Sequence, residues 1–509
     1  MVSTPERSQA EWCAVPVTAR AFGSEGEVAM DVDAVVNSWV APVADAISSV
    51  VFFSVSVAGA NLPLIVVWLI MGGLVCTLAF RFINLRGFSH ALRVVRGDYT
   101  DRSIPGETTP FQALATAVSG TVGLGNIAGV AVAVSIGGPG ATLWMVLAGF
   151  LGMSAKFAEV TLAVKYRKVR PDGSVTGGPM YYIPIALERA GLPRIGKSLA
   201  GFFCLAAVGG SLTLFQINQS FAQFRTVTGF DQGFLFGLAI AIWVGIVLFG
   251  GMRRIAQWTG KLVPLMCGIY IVACFIVLLA NVTELPQALA TIVRTAFAPE
   301  SVAGGIIGAI VQGFRRAAFS CEAGLGSAPM AHATVRTREP MSQGFAALLE
   351  PFLDTVIICS LTALAIVVTG VYQAGGEPQG IALTSAAFAT VVPWFPIVLS
   401  IAAILFALST VLSWGYYGEQ AWTWLFSESK PSRVAYRLVL CAVLSTGATF
   451  ELAQVVNLVD SLNFCMAIPN LIAVYLLLPE LRADLVAYRA RLAAGTLGRN
   501  VADKQVGRA

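Results

Sequence analysis

Two short stretches set glycines beside polar side chains inside otherwise apolar sequence: 120-GTVGLGNIAG-129 and 319-FSCEAGLGSAP-329. Glycine is the poorest helix former short of proline, so each stretch marks a place where a helix crossing a hydrocarbon layer would break. An unpartnered N–H or C=O is costly in lipid, and such a break survives only where something else satisfies the freed backbone. Carbonyls released by the leading half-helix suit a hard cation such as Na⁺, and amides opening the following half suit a carboxylate. The chemistry on offer is joint binding of an ion and a small zwitterion. Gly120, Gly123, Gly125 and Gly129 allow the dihedrals and the close approach this requires, while Thr121 and Asn126 add polar atoms. The second stretch carries Phe319, Ser320 and Glu322. Glu322 suits either a protonatable coupling group or a structural brace beside freed amides.

Other polar groups within apolar runs join the candidate set. Gln216 and Asn218 lie in LTLFQINQS, and Ser409, Thr410, Ser413 and Trp414 lie in FALSTVLSWGYYGE. Ser409 and Ser413 are four apart and share a helix face, so their hydroxyls could complete an oxygen-ligand cation site. The competing reading is that they bond back to their own helix. Lys156 and Glu159, three apart, are expected to form a structural pair, and Arg315 and Arg316 are placed to reach Glu322 or Asp354. Two soluble-protein motifs are coincidental. The run 191-GLPRIGKS-198 fits a P-loop pattern but lacks the strand before it, and Gly123–Ala128 fits a loose dinucleotide fingerprint with no acidic residue following at the needed spacing. No HExxH helix is present and nothing resembles a nucleophile beside a histidine, so an intramembrane enzyme is poorly supported.

The elements that must position these groups are membrane spans. The chain is 56% hydrophobic and only 12% charged, outside soluble usage. Apolar runs of about 20 residues, enough to cross roughly 30 Å of hydrocarbon, are placed near 62–82, 112–136, 141–166, 198–224, 232–250, 262–281, 303–330, 346–371, 396–424, 436–455 and 460–479. The net charge of +5 is no nucleic-acid footprint, because the basic residues lie in short loops. Every second loop is basic, as in Arg86–Arg102, Lys165–Arg170 and Lys430–Arg437, which puts the N-terminus outside and the C-terminus in the cytoplasm. The nine cysteines show no metal-like spacing with His90 and His332 and read as packing residues. Residues 1–32 are polar without signal-peptide order, and Met30 is a reasonable alternative start. Residues 33–57 are amphipathic and expected along the membrane surface, 58–482 form the transporting body, and 483–509 form a cytoplasmic tail. VGLGNIA at 122–128 echoes as AGLGSAP at 323–329. With the first helix set aside, the rest divides into two fives (112–281 and 303–479). An odd number per half makes the halves run in opposite senses, the inverted repeat of many secondary transporters.

The motifs GTVGLGNIAGVAVAVSIGGPGA (120–141), LGMSAKFAEVTLAVKYR (151–167), GGPMYYI (177–183), FSCEAGLGSAPMAHA (319–333), LSTVLSWGYYGE (408–419) and DSLNFCMAIPNLIA (460–473) resemble the alanine or glycine:cation symporters. That resemblance implies an all-α integral membrane protein of leucine-transporter fold, with one extra helix before two inverted five-helix repeats. It implies a substrate site of Thr121, Gly123, Gly125, Asn126, Gln216, Phe319, Cys321, Thr410 and Trp414, and a sodium site of carbonyls near Gly120 and Val122 with the hydroxyls of Ser409, Thr410 and Ser413. Cys321 and Leu124 depart from the family's usual Asn and Thr, removing polarity beside the pocket. The expected function is sodium-coupled uptake of alanine or glycine, with no enzymatic activity and no cofactor beyond the coupling ion. A proton-coupled symporter and a passive channel are the alternatives.

Overall fold

Apolar segments must pair every backbone group internally when water is absent, and the chain answers with helices. The computed structural model describes residues 42, 44–57, 60–99, 104, 106–171, 173–298, 305–373, 380–450 and 452–497. The polar stretch expected over 1–32 lies outside them, as does much of the surface helix expected over 33–57. Residues 44–51 are helical, but the helix stops there. β1 (Ser54–Val57) pairs antiparallel with β2 (Ala60–Pro63), Ser54 opposite Pro63. Alternating serine and valine favours a strand there over a longer helix.

The leading span α1 (Leu64–Ala79) is followed by a short helix α2 (Phe88–Arg96). The first half begins with α3 (Pro110–Thr121), opened by a Thr109–Gln112 capping box, and resumes as α4 (Val130–Gly137) after a break. It continues through α5 (Ala141–Lys165), α6 (Pro179–Arg189), α7 (Pro193–Gly210), α8 (Leu214–Thr228), α9 (Gly233–Leu248) and α10 (Gly251–Ala280). A linking helix α11 (Leu285–Ala296) leads to the second half. This half comprises α12 (Gly305–Cys321), a break ending in the short helix Pro329–His332, α13 (Pro340–Thr369), α14 (Ile381–Ala389), α15 (Phe395–Leu425), α16 (Lys430–Thr446) and α17 (Leu452–Ala493).

Among the described residues, six helices are long and apolar enough to cross a membrane, α7 with α8 counting as one, and the α3/α4 pair, bent by 56°, makes a seventh. The two halves interlock: α5 packs on α12 and α13, and α15 packs on α7 and α8. Several boundaries differ from the sequence reading, among them the start of α10, at Gly251 rather than near 262. α13 starts at Pro340 rather than near 346, and α16 stops at Thr446 rather than 455. α17 runs past the expected body–tail boundary at 482, carrying Pro469 and Pro479 inside it. The apolar run ends at Pro479, but the extension buries Leu481, Leu485 and Tyr488, and Asp484 and Arg491 pair with Lys165 and Glu339. Packing and ion pairs carry the helix on after hydropathy has ended.

Candidate functional site

At the first break a continuous helix would give the amides of Gly123 and Leu124 to the carbonyls of Ser119 and Gly120. Instead Gly123 N–H donates to Asn126 Oδ1 at 2.8 Å and Leu124 N–H to Gln216 Oε1 at 2.9 Å. Asn126 N–H turns to Gly123 O at 3.1 Å rather than to Val122 O. The carbonyls of Ser119, Gly120 and Val122 thereby lose their usual helical donors, and a π-helical turn over Gly125–Gly129 restores the ladder.

The second break is built by torsion. Glu322, Gly324 and Gly326 hold φ of 55°, 85° and 86°, in the left-handed region that glycine enters freely and glutamate does not. The Glu322 carboxylate accepts from Trp414 Nε1 at 2.8 Å and from Ser327 Oγ. Asn470 Nδ2 donates to Gly324 O at 2.8 Å and to Glu159 Oε2 at 2.9 Å. Of the two roles open to Glu322, this geometry displays the brace.

Both breaks face one small cavity, which leaves about 20 Å³ for the centre of a water-sized sphere, roughly the room of one water. Gly120, Thr121 and Gly125 line it from the first break, Phe319 and Glu322 from the end of α12, and Thr410 and Trp414 from α15. A kink between α7 and α8, with Thr213 left-handed at φ 47°, brings Gln216 to the wall. Gly123 stands just behind it: a Cβ there would lie 2.6 Å from Thr410 Oγ1 and 3.2 Å from Gln216 Oε1, so only glycine fits.

Other expected site residues point elsewhere. Cys321 lines a separate gap among α1, α5 and α12, because the last turn of α12 rotates it behind Phe319 and Glu322. Asn126 looks away from the cavity and donates to Asp354 Oδ1 at 2.5 Å. Val122 is fully buried and could offer only its carbonyl. Ser409 Oγ donates to Phe406 O at 2.9 Å, the competing helix-bonded reading. Ser413 Oγ donates across to Thr116 O at 2.7 Å and pairs with Ser119 Oγ. Ser413 thus ties α15 to α3, close to the released carbonyls, while Thr410 Oγ1 is buried without a partner.

Arg315 and Arg316 pair with Asp460 of α17 rather than with Glu322 or Asp354. Their helix turns them toward α17, and Arg315 also stacks over Phe52 at 4.1 Å. Lys156 lies 3.6 Å from Glu159, as expected, and also 3.1 Å from Glu350, which faces His332 at 3.5 Å. All four side chains are fully buried, and through Asn470 this cluster reaches the second break.

Sequence reasoning missed the parts played by three groups. Asp354, inside the π-helical stretch Phe352–Cys359, collects Asn126, Ser320 Oγ at 2.8 Å and Thr355 Oγ1 at 2.7 Å, joining both broken helices. Thr213 and Asn463 line the cavity. A carboxylate within a span was the available signal for Asp354. Thr213 and Asn463 carried none, since kink and helix rotation decide where they point.

Two broken helices wrapped round one small cavity, inside a bundle of spans, make the arrangement of a multi-pass secondary transporter. The chain belongs to the sodium:alanine symporter family, whose model matches residues 45–502. It is 38% identical over 418 residues to the sodium/alanine symporter AgcS of Methanococcus maripaludis, covering 82% of this chain and 92% of that one. It is 35% identical over 434 residues to the probable sodium/glutamine symporter GlnT of Bacillus subtilis, covering 85% and 89%. The fold is of the leucine-transporter type. MhsT, solved in complex with L-phenylalanine, superposes with a TM-score of 0.50 at 16% identity over 72% of this chain and 88% of that one.

Proposed function

We propose that the protein takes up a small neutral amino acid, alanine or glycine, together with Na⁺ by alternating access. The observation that carries this reading is the first break, where amides are satisfied by Asn126 and Gln216 while carbonyls of Ser119, Gly120 and Val122 are released beside the cavity. The released carbonyls, with Thr410 and the Ser413–Ser119 pair nearby, supply oxygens of the kind a hard cation takes. The amino acid's charged groups would lie along Thr121 and Gly125 opposite Gln216, with Phe319 and Trp414 closing on its side chain. Close walls favour small side chains, and the names of the AgcS and GlnT relatives support sodium and an amino acid as the transported pair. The alternation of basic loops supports an external N-terminus and a cytoplasmic C-terminus.

Uptake of labelled alanine into proteoliposomes with and without an inward sodium gradient tests the coupling, and equal uptake in both would defeat it. Glu322→Gln addresses the proton alternative: abolished proton-driven uptake, with no response to sodium in the parent protein, would favour protons.

A further inference from the structure

The cavity has a polar end that gripping an amino acid by its charged groups leaves unused. Thr213 Oγ1 and Asn463 Oδ1 are buried without hydrogen-bond partners, and both residues line the cavity. They arrive from different elements, the α7/α8 kink and α17. Thr213 sits at φ 47°, where a β-branched residue is strained. Asn463 is seated against Gly210, where a Cβ would stand 2.1 Å from its Oδ1, so glycine alone admits the amide. Valine and leucine, close in shape, would leave neither group buried and unpaired. The flanking walls are apolar: Val459, Trp414 and the Phe215–Phe319 pair, whose rings meet edge-on at 5.4 Å.

We propose that Thr213 and Asn463 form a side-chain subsite for a short hydroxyl, which makes serine a preferred cargo of this carrier. The serine hydroxyl would donate to Asn463 Oδ1 and accept from the Thr213 hydroxyl, satisfying both orphans at once. α-Aminobutyrate, nearly the same size with a methyl in place of the hydroxyl, would leave both unpaired. A site built to hydrogen-bond a hydroxyl rejects the analogue lacking it far more strongly than an apolar pocket rejects an added one.

This rests on the amino-acid carrier reading, and the test separates the two. The full chain in proteoliposomes takes up labelled alanine under an inward sodium gradient, against unlabelled serine or α-aminobutyrate. Serine is expected to compete at least about tenfold better. N463L and T213V should each shrink or invert that ratio, a readout that general damage to transport would not move. If one variant fails to fold, the wild-type ratio and the other variant still decide. Robust alanine uptake with the two competitors within about twofold of each other would overturn the subsite and leave the carrier reading standing, pointing to a structural water on the two polar groups. Absence of alanine uptake in any gradient would bring down both.

Discussion

The break after Thr121 and the break after Cys321 share the sequence Gly-Leu-Gly yet use it differently. In the first, none of the described residues has positive φ, and the glycines are needed for room: Gly123 lies against Thr410 and Gln216, and a Cβ on Gly125 would meet the Phe319 ring at 3.3 Å. In the second, Gly324 and Gly326 are needed for torsion, with Glu322 forced into the same region and braced by Ser327 and Trp414. One motif thus serves a cavity wall at the first break and a held bend at the second. At the first break side chains take up amides and leave carbonyls free, whereas at the second Asn470 takes up the Gly324 carbonyl.

Substitutions that treat the breaks unequally test this contrast. The largest effect is expected from Gly326→Ala, which combines a left-handed φ of 86° with a Cβ 2.6 Å from Pro179 Cγ. It should cost ~3 kcal/mol or more, read as loss of folded yield or a lower unfolding midpoint in detergent. Asn126→Asp would set a second carboxylate against Asp354 Oδ1, now 2.5 Å from the amide. A loss of ~3 kcal/mol is expected, with recovery when Asp354→Asn is added; a double-mutant cycle with no coupling would show that Asp354 does not hold the first break. Gln216→Leu strands the Leu124 amide and should cost ~1–3 kcal/mol together with uptake, whereas unchanged stability would mean that the break satisfies itself. Gly129→Ala is the smallest and of opposite sign. Its Cβ meets nothing within 4 Å and its φ of −65° is helical, so a gain of ~0.5 kcal/mol is expected, and a loss would contradict the claim that this break needs glycine only at and just behind the cavity wall.

The spans and both breaks were legible in sequence because hydropathy and glycine report directly on whether a helix can cross lipid unbroken. The wall residues Gln216, Phe319, Thr410 and Trp414 came from the family resemblance that the motifs around those breaks carry. What stayed hidden depends on rotation about a helix axis. Cys321 and Phe319 are two residues apart, yet one lines the cavity and the other a separate gap. Asn126 turned to Asp354 because a π-helical stretch shifts the register of α13, which no periodicity in FLDTVIIC announces. The partner of Arg315 and Arg316 lies about 145 positions away in Asp460, beyond anything spacing on one helix can predict.

The reach of α17 has a practical consequence. Its 42 residues, at ~1.5 Å each, extend ~60 Å, twice the thickness of a hydrocarbon layer. The same rod carries Asn463 in the cavity wall and, near its far end, Asp484 and Arg491 gripping Lys165 of one half and Glu339 of the other. A spectroscopic label near that end would act as a distant pointer, reporting tilts of the wall without disturbing the cavity itself.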